Sequence, residues 1–147
     1  MLGCLFCCLC RDRKGTMAKA KIQCQRVSYG IYTPWDREAR ALPKILEFTR
    51  SIPARIDIEF GCVLNIRKAR GKQLSFCIDH PPFLDKNGDM ALPFTGDEYV
   101  RSNDWHFFLG DTIWTPVHDK IGPWRLTVEL DGQTRQVAPR GWIMHWR

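Results

Sequence analysis

Between Arg55 and Arg67 the chain reads RIDIEFGCVLNIR, so that Ile56, Ile58, Phe60, Cys62, Leu64 and Ile66 alternate with Arg55, Asp57, Glu59, Gly61, Val63, Asn65 and Arg67. A sustained period of two predicts a strand with one face in a core and the other toward water. Gly61 predicts a bend in it. Leu74, Phe76 and Ile78 repeat the pattern, and Ala69-Arg70-Gly71-Lys72 between the two runs predicts a hairpin. Further on, Trp105, Phe107 and Leu109 share an inward phase against His106 and Phe108, and Trp124, Leu126, Val128 and Leu130 form another run. Asp131-Gly132 after that run predicts a type I′ turn. Upstream, Ile22 and Cys24 hold one phase and Val27, Tyr29 and Ile31 the other, which predicts a bulge near Gln25-Arg26. KILEFTR at 44–50 reads as a short strand, and DREARAL at 36–42 as about two turns of helix.

About seven short strands with turn signals between them, and no strand–helix–strand alternation, predict an all-β chain. The expected architecture is a two-sheet antiparallel β-sandwich of immunoglobulin-like type, with an open barrel as the structural alternative. A length of 147 residues suits one domain. Its expected bounds are 21–137, between a cysteine-rich basic tail at 1–20 and an irregular tail at 138–147, where Pro139 and Gly141 interrupt the alternation. By strand phase Cys62 faces the core and Cys77 faces away, so no immunoglobulin disulfide is expected between them.

The net charge of +6 changes the picture only once it is located. Residues 1–26 hold six basic side chains and one acidic, and residues 27–147 hold 16 basic and 15 acidic. A nucleic-acid module carries its charge on the folded face that meets phosphate, so nucleic acid is not an expected partner. Four of the seven cysteines (Cys4, Cys7, Cys8, Cys10) lie in MLGCLFCCLC, a run too short to span a bilayer, with its basic residues after it instead of before. Two readings of this opening stand. It is a loose or mis-assigned beginning, with Met17 as the working start, or its cysteines are S-acylated beside Arg11, Arg13 and Lys14 and tether the chain to a membrane. An odd number of cysteines without an export signal predicts a reducing cytoplasm.

Several short stretches, in this order, carry a family resemblance: Tyr29-Gly30-Ile31-Tyr32, Ile52-Pro53-Ala54-Arg55, Glu59-Phe60-Gly61, His80-Pro81, Arg101-Ser102-Asn103-Asp104-Trp105, Leu109-Gly110-Asp111, and Gly122-Pro123-Trp124 through Asp131-Gly132. Over about residues 28–133 the chain resembles a bacterial family classed as a domain of unknown function, number 3859. The resemblance implies a β-sandwich and brings no activity or cofactor with it. Residues 133–147, QTRQVAPRGWIMHWR, depart from the alternating last strand such a domain should have.

Histidine–aspartate neighbours (Asp79-His80, Asp104-x-His106, His118-Asp119) raise an enzyme reading: a small hydrolase or metal-dependent enzyme built on His80, Asp79 or His106. No nucleophile elbow and no phosphate-binding glycine loop accompanies them. Asp85-Lys86-Asn87-Gly88-Asp89 has the beginning of a calcium loop, but Met90 and Thr95 stand where glycine and glutamate are needed, so a plain turn is expected. The leading expectation is a non-catalytic interaction module for a protein or small ligand, without cofactor or metal, working through end loops or an open sheet edge. The loops are Pro81–Thr95 and Gly110–Gly122; the candidate binding surface is Phe108, Trp114, His80, His106 and Asp104, with Phe108 and Trp114 the expected exposed aromatics.

Overall fold

The computed structural model describes residues 21–137 and 142–145. The cysteine-rich opening, with the readings attached to it, lies outside the described residues. Two four-stranded antiparallel sheets form the body. The first runs β2 (Ile45–Phe48), β1 (Gln23–Tyr32), β4 (Glu59–Arg67), β7 (Asp104–Thr112), and the second runs β10 (Gln133–Gln136), β9 (Arg125–Leu130), β5 (Gln73–Asp79), β6 (Phe94–Tyr99). A small third sheet joins β3 (Ser51–Pro53), β11 (Ile143–His145) and β8 (Gly122–Pro123), with β11 parallel to β3. Between the two large sheets the inward phases meet: Phe60, Cys62, Leu64 and Ile66 from β4, Phe107 and Leu109 from β7, Leu74 and Ile78 from β5, and Leu126, Val128 and Leu130 from β9. Trp124 closes one end, edge-on to Phe60 at 5.1 Å, its indole N–H donating to the Lys120 carbonyl at 2.9 Å.

Three predicted local features hold. Val27 is the extra residue of a bulge between Arg26 and Ser28, which moves Tyr29 and Ile31 onto the core side. Asp131 and Gly132 have φ of 53° and 76°, as a type I′ turn requires, and Leu130 pairs with Gln133 across them. Cys62 is buried and Cys77 half-buried, both as free thiols.

Elsewhere the structure departs from expectation. β4 and β5 do not form a hairpin: they belong to opposite sheets, and the 68–72 turn carries the chain across the sandwich. Periodicity says which side chains share a core but not whether two strands lie beside or opposite each other. The crossing turn points Ala69 into the core and uses positive φ at Lys68 (61°) and Gly71 (80°). β4 also begins only at Glu59, because Asp57 turns the backbone at φ 68° and leaves Ile56 exposed.

Residues 36–42 form turns in place of the expected helix. A helix of two turns does not repay its nucleation in isolation. Here the segment is held instead by Trp35 and Leu42, which pack with Tyr32, Val63 and Phe108 on the outer face of the first sheet. That cover makes β4 buried on both faces rather than one. It also overturns the expected exposure of Phe108, which is 1% exposed with its ring 5.1 Å from Trp35 and 4.9 Å from Tyr32. Clearance for that ring comes from glycine: Gly30, Gly61 and Gly110 are in register across three strands, and a Cβ on Gly110 would lie 2.1 Å from the Phe60 carbonyl oxygen and 2.6 Å from Phe108 Cζ.

The chain end departs too. Within the stretch read as an irregular tail, Trp142 and Met144 are core residues, and β11 bridges β3 and β8. Three residues are too few for alternation to register, so the strand was invisible to a period-two reading.

Candidate binding groove along an open sheet edge

β7 ends the first sheet, and among the described residues no strand pairs with its outer side. Its ladder to β4 runs without a register shift, and the backbone of Ile113 is bonded to Ile58 O and Asp57 N on the β4 side. Alternation from Ile113 therefore turns the N–H and C=O of Thr112, Gly110, Phe108, His106 and Asp104 toward the free edge. Along that edge runs a groove of about 530 Å³. Its one wall is the 35–42 segment, including Arg37, Arg40 and Leu42; the other is Phe76, Phe94 and Glu98 of the second sheet, with Arg101 beyond them.

The five expected binding residues divide among three places. Asp104 and His106 lie exposed on the outer face at the start of β7. Asn65 Nδ2 donates to Asp104 Oδ1 at 2.7 Å, and together with the Arg67 guanidinium at 3.5 Å it holds that carboxyl below its usual range. Phe108 gives its backbone to the edge while its side chain is buried. His80 and Trp114 meet at one end of the sandwich, where the 81–95 and 110–122 loops converge.

That end is an aromatic cluster with a cation inside it. The His80 ring lies 4.2 Å from Phe83 and 4.9 Å from Phe94, and Trp114 is edge-on to Phe83 at 5.8 Å. Lys120, 1% exposed, sets its ammonium 4.4 Å from the Trp114 ring and 4.7 Å from Phe83, and donates to Pro116 O and Asp119 Oδ1, both at 2.7 Å. The ring nitrogens of His80 are taken by the carbonyls of Pro81 and Leu92 at 2.8 and 2.9 Å. Asp85 accepts the N–H groups of Asn87 and Asp89, giving the 85–89 stretch the turn its composition predicts.

A family model for a domain of unknown function, DUF3859, matches residues 20–137. The chain belongs to that family. The DUF3859 match covers both large sheets and stops short of β11. An immunoglobulin-like protein from Pseudomonas aeruginosa has the same fold: TM-score 0.67 over 87% of this chain and 99% of that one, at 18% identity. No curated protein matches. The DUF3859 chain is thus an immunoglobulin-like β-sandwich, as its strand pattern predicted.

What this DUF3859 domain brings together differs from the histidine centre the enzyme reading needed. His80 and His106 sit in separate settings, and no group of three histidine, cysteine or acidic side chains among the described residues is arranged to hold a metal ion. Asp79, the third candidate, accepts the backbone N–H of His80. The charged residues that do converge are Glu59, Asp111 and Arg37, at one end of the groove. Burial pushes both carboxyls up; the Thr112 hydroxyl, which donates to Glu59 Oε2, and the positive charge of Arg37 act the other way. Sequence reasoning missed Arg37, Arg40 and Leu42 because they lay in the supposed helix, and Lys120 because nothing local distinguishes a buried lysine. Pro34 and Pro43 around DREARAL were the available signal against a helix.

Proposed function

We propose that this domain is a non-catalytic interaction module that takes an extended acidic peptide segment as an added strand on β7, in a reducing cytoplasm. The observation that carries the reading is the outer edge of β7, unpaired among the described residues, with a groove running along it. An added strand would satisfy the backbone groups of His106, Phe108 and Gly110, and its successive side chains would turn alternately to the 35–42 wall with Arg37 and Arg40 and to the second-sheet wall with Phe76 and Phe94. Arg37, Arg40 and Arg101 outnumber Glu98 and Asp111 along the walls, which favours glutamate or aspartate at the alternate positions. An uncovered edge of this length is an aggregation hazard unless something occupies it. The compartment rests on Cys24, Cys62 and Cys77, all free thiols.

The test is amide hydrogen exchange with a synthetic eight-residue peptide alternating glutamate and valine. Protection should appear at His106, Phe108 and Gly110 and leave the β4-facing amides unchanged. His106→Pro removes one edge donor without touching the β4 ladder and should abolish the protection while the fold melts normally. Binding that survives His106→Pro, or protection confined to the loops, would overturn strand addition.

A further inference from the structure

The sandwich carries a second concavity of about 620 Å³ that shares no lining residue with the β7 groove; Lys21, Lys68, Lys72, Asp131 and Arg135 face it. It gathers four cationic side chains around one carboxylate, and that carboxylate, Asp131, is already engaged by Lys72 at 3.4 Å. Lys21, Lys68 and Arg135 have no ion-pair partner among the described residues. Residues 27–147 as a whole are nearly neutral, whereas this concavity is locally positive. Like charges held in one concavity repel, and a multivalent anion relieves that repulsion.

The frame around these cations is set by backbone contacts. Lys68 N donates to Asn103 O at 3.0 Å, Arg70 N to Asn103 Oδ1 at 3.2 Å, and Gly71 N to Val100 O at 2.9 Å. Lys68 itself is held at φ 61°, a conformation a long side chain rarely adopts, which turns the crossing strand connection toward the 131–135 hairpin. Ile22 and Leu130 add an apolar flank.

We infer that this concavity binds a multivalent phosphate group, either a free oligophosphate or the phosphates of an anionic lipid headgroup. Three uncompensated cations exceed what one monovalent anion needs, and Arg135 adds a fork suited to phosphate oxygens. The site is independent of the β7 groove, so either proposal can fail alone.

The experiment titrates the full chain with inorganic tripolyphosphate, followed by amide NMR shifts, and in parallel measures sedimentation with vesicles containing cardiolipin, whose headgroup carries two phosphates. Shifts should gather at Lys68, Lys72 and Gln133–Arg135, and the combined change Lys68→Gln with Arg135→Gln should weaken binding at least about tenfold. Arg55→Gln, outside the concavity, should leave binding unchanged, and a thermal melt shows that each variant folds. Tripolyphosphate binding without vesicle binding assigns the phosphate to a free ligand; vesicle binding lost in the double variant assigns it to lipid. Absence of both, binding retained in the double variant (the signature of residues 1–20 acting alone), or tighter binding of a single-stranded oligonucleotide than of tripolyphosphate would overturn the proposal.

Discussion

Two thiols of the same chemistry separate cleanly at the level of single residues. Cys62 lies in the core between the sheets, where burial pushes its thiol up to about 12; Cys77 points off the second sheet, half-buried, with a smaller upward push from burial. Because the thiolate is the reactive form, native-state labelling should modify Cys77 long before Cys62. Equal rates would mean that β4 opens on the labelling timescale. Glu59 and Asp111 give a second residue-scale prediction. Their carboxyls are raised above 4.5 and 3.8, the ordinary values, mainly by burial. A raised carboxyl means the folded state holds its proton more tightly than the unfolded one. The stabilisation is therefore fully present below the ordinary values and is lost as pH rises through the folded ones. The gap in Tm between the native chain and the Glu59→Gln, Asp111→Asn double variant should shift against the native chain as pH is raised from about 4 to about 7. A gap constant over that range would show that the two carboxyls titrate normally.

Elements are where glycine separates two kinds of constraint. Gly132 sits at a hairpin tip with nothing near its missing Cβ, so Gly132→Ala meets only the backbone preference against positive φ and should destabilise by about 1 kcal/mol. Gly110 has ordinary φ but no room: a Cβ there runs into the Phe60 carbonyl and the Phe108 ring. Gly110→Ala should cost more than Gly132→Ala, on the order of 3 kcal/mol, by forcing apart β4 and β7 or expelling Phe108. A denaturant series that ranks the two the other way would remove the close-approach account. The first constraint was legible in Asp131-Gly132 itself; the second depended on Phe108 facing a covered surface, which no local pattern announces.

For the molecule as a whole, the third sheet decides how the sandwich closes. Trp142 lies edge-on to Phe60 at 6.1 Å, Trp142 O accepts from Trp124 N, and the Ser51 hydroxyl is hydrogen-bonded to the His145 ring. Ending the chain after Val137 would keep the whole DUF3859 match yet remove two buried side chains, Trp142 and Met144. Each such loss is worth about 2–5 kcal/mol, comparable with the stability of a small domain. Chemical denaturation of that truncated chain should show a large loss of midpoint or no cooperative transition. Unfolding like that of the full chain would mean that residues 142–145 only rest on the core.

Alternation over many residues was enough to reveal the all-β class, the inward faces of β4, β5 and β9, the bulge in β1 and the turn after β9, because each follows from side-chain direction or from backbone preference at one place. Strand partnership was not available in that way. A core-facing run looks the same whether its neighbour lies beside it or across from it, which is why the crossing between β4 and β5 read as a hairpin. The same limit hid the candidate groove. Phe108 and the arginines of the 35–42 segment are distant in sequence and without a shared period, and they meet only because Trp35 and Leu42 gain more by covering the outer face of the first sheet than a two-turn helix gains by forming. The sequence by itself determined which residues avoid water; the tertiary structure decided what they avoid it against, since burial is non-directional and only the packed sheets give it a partner.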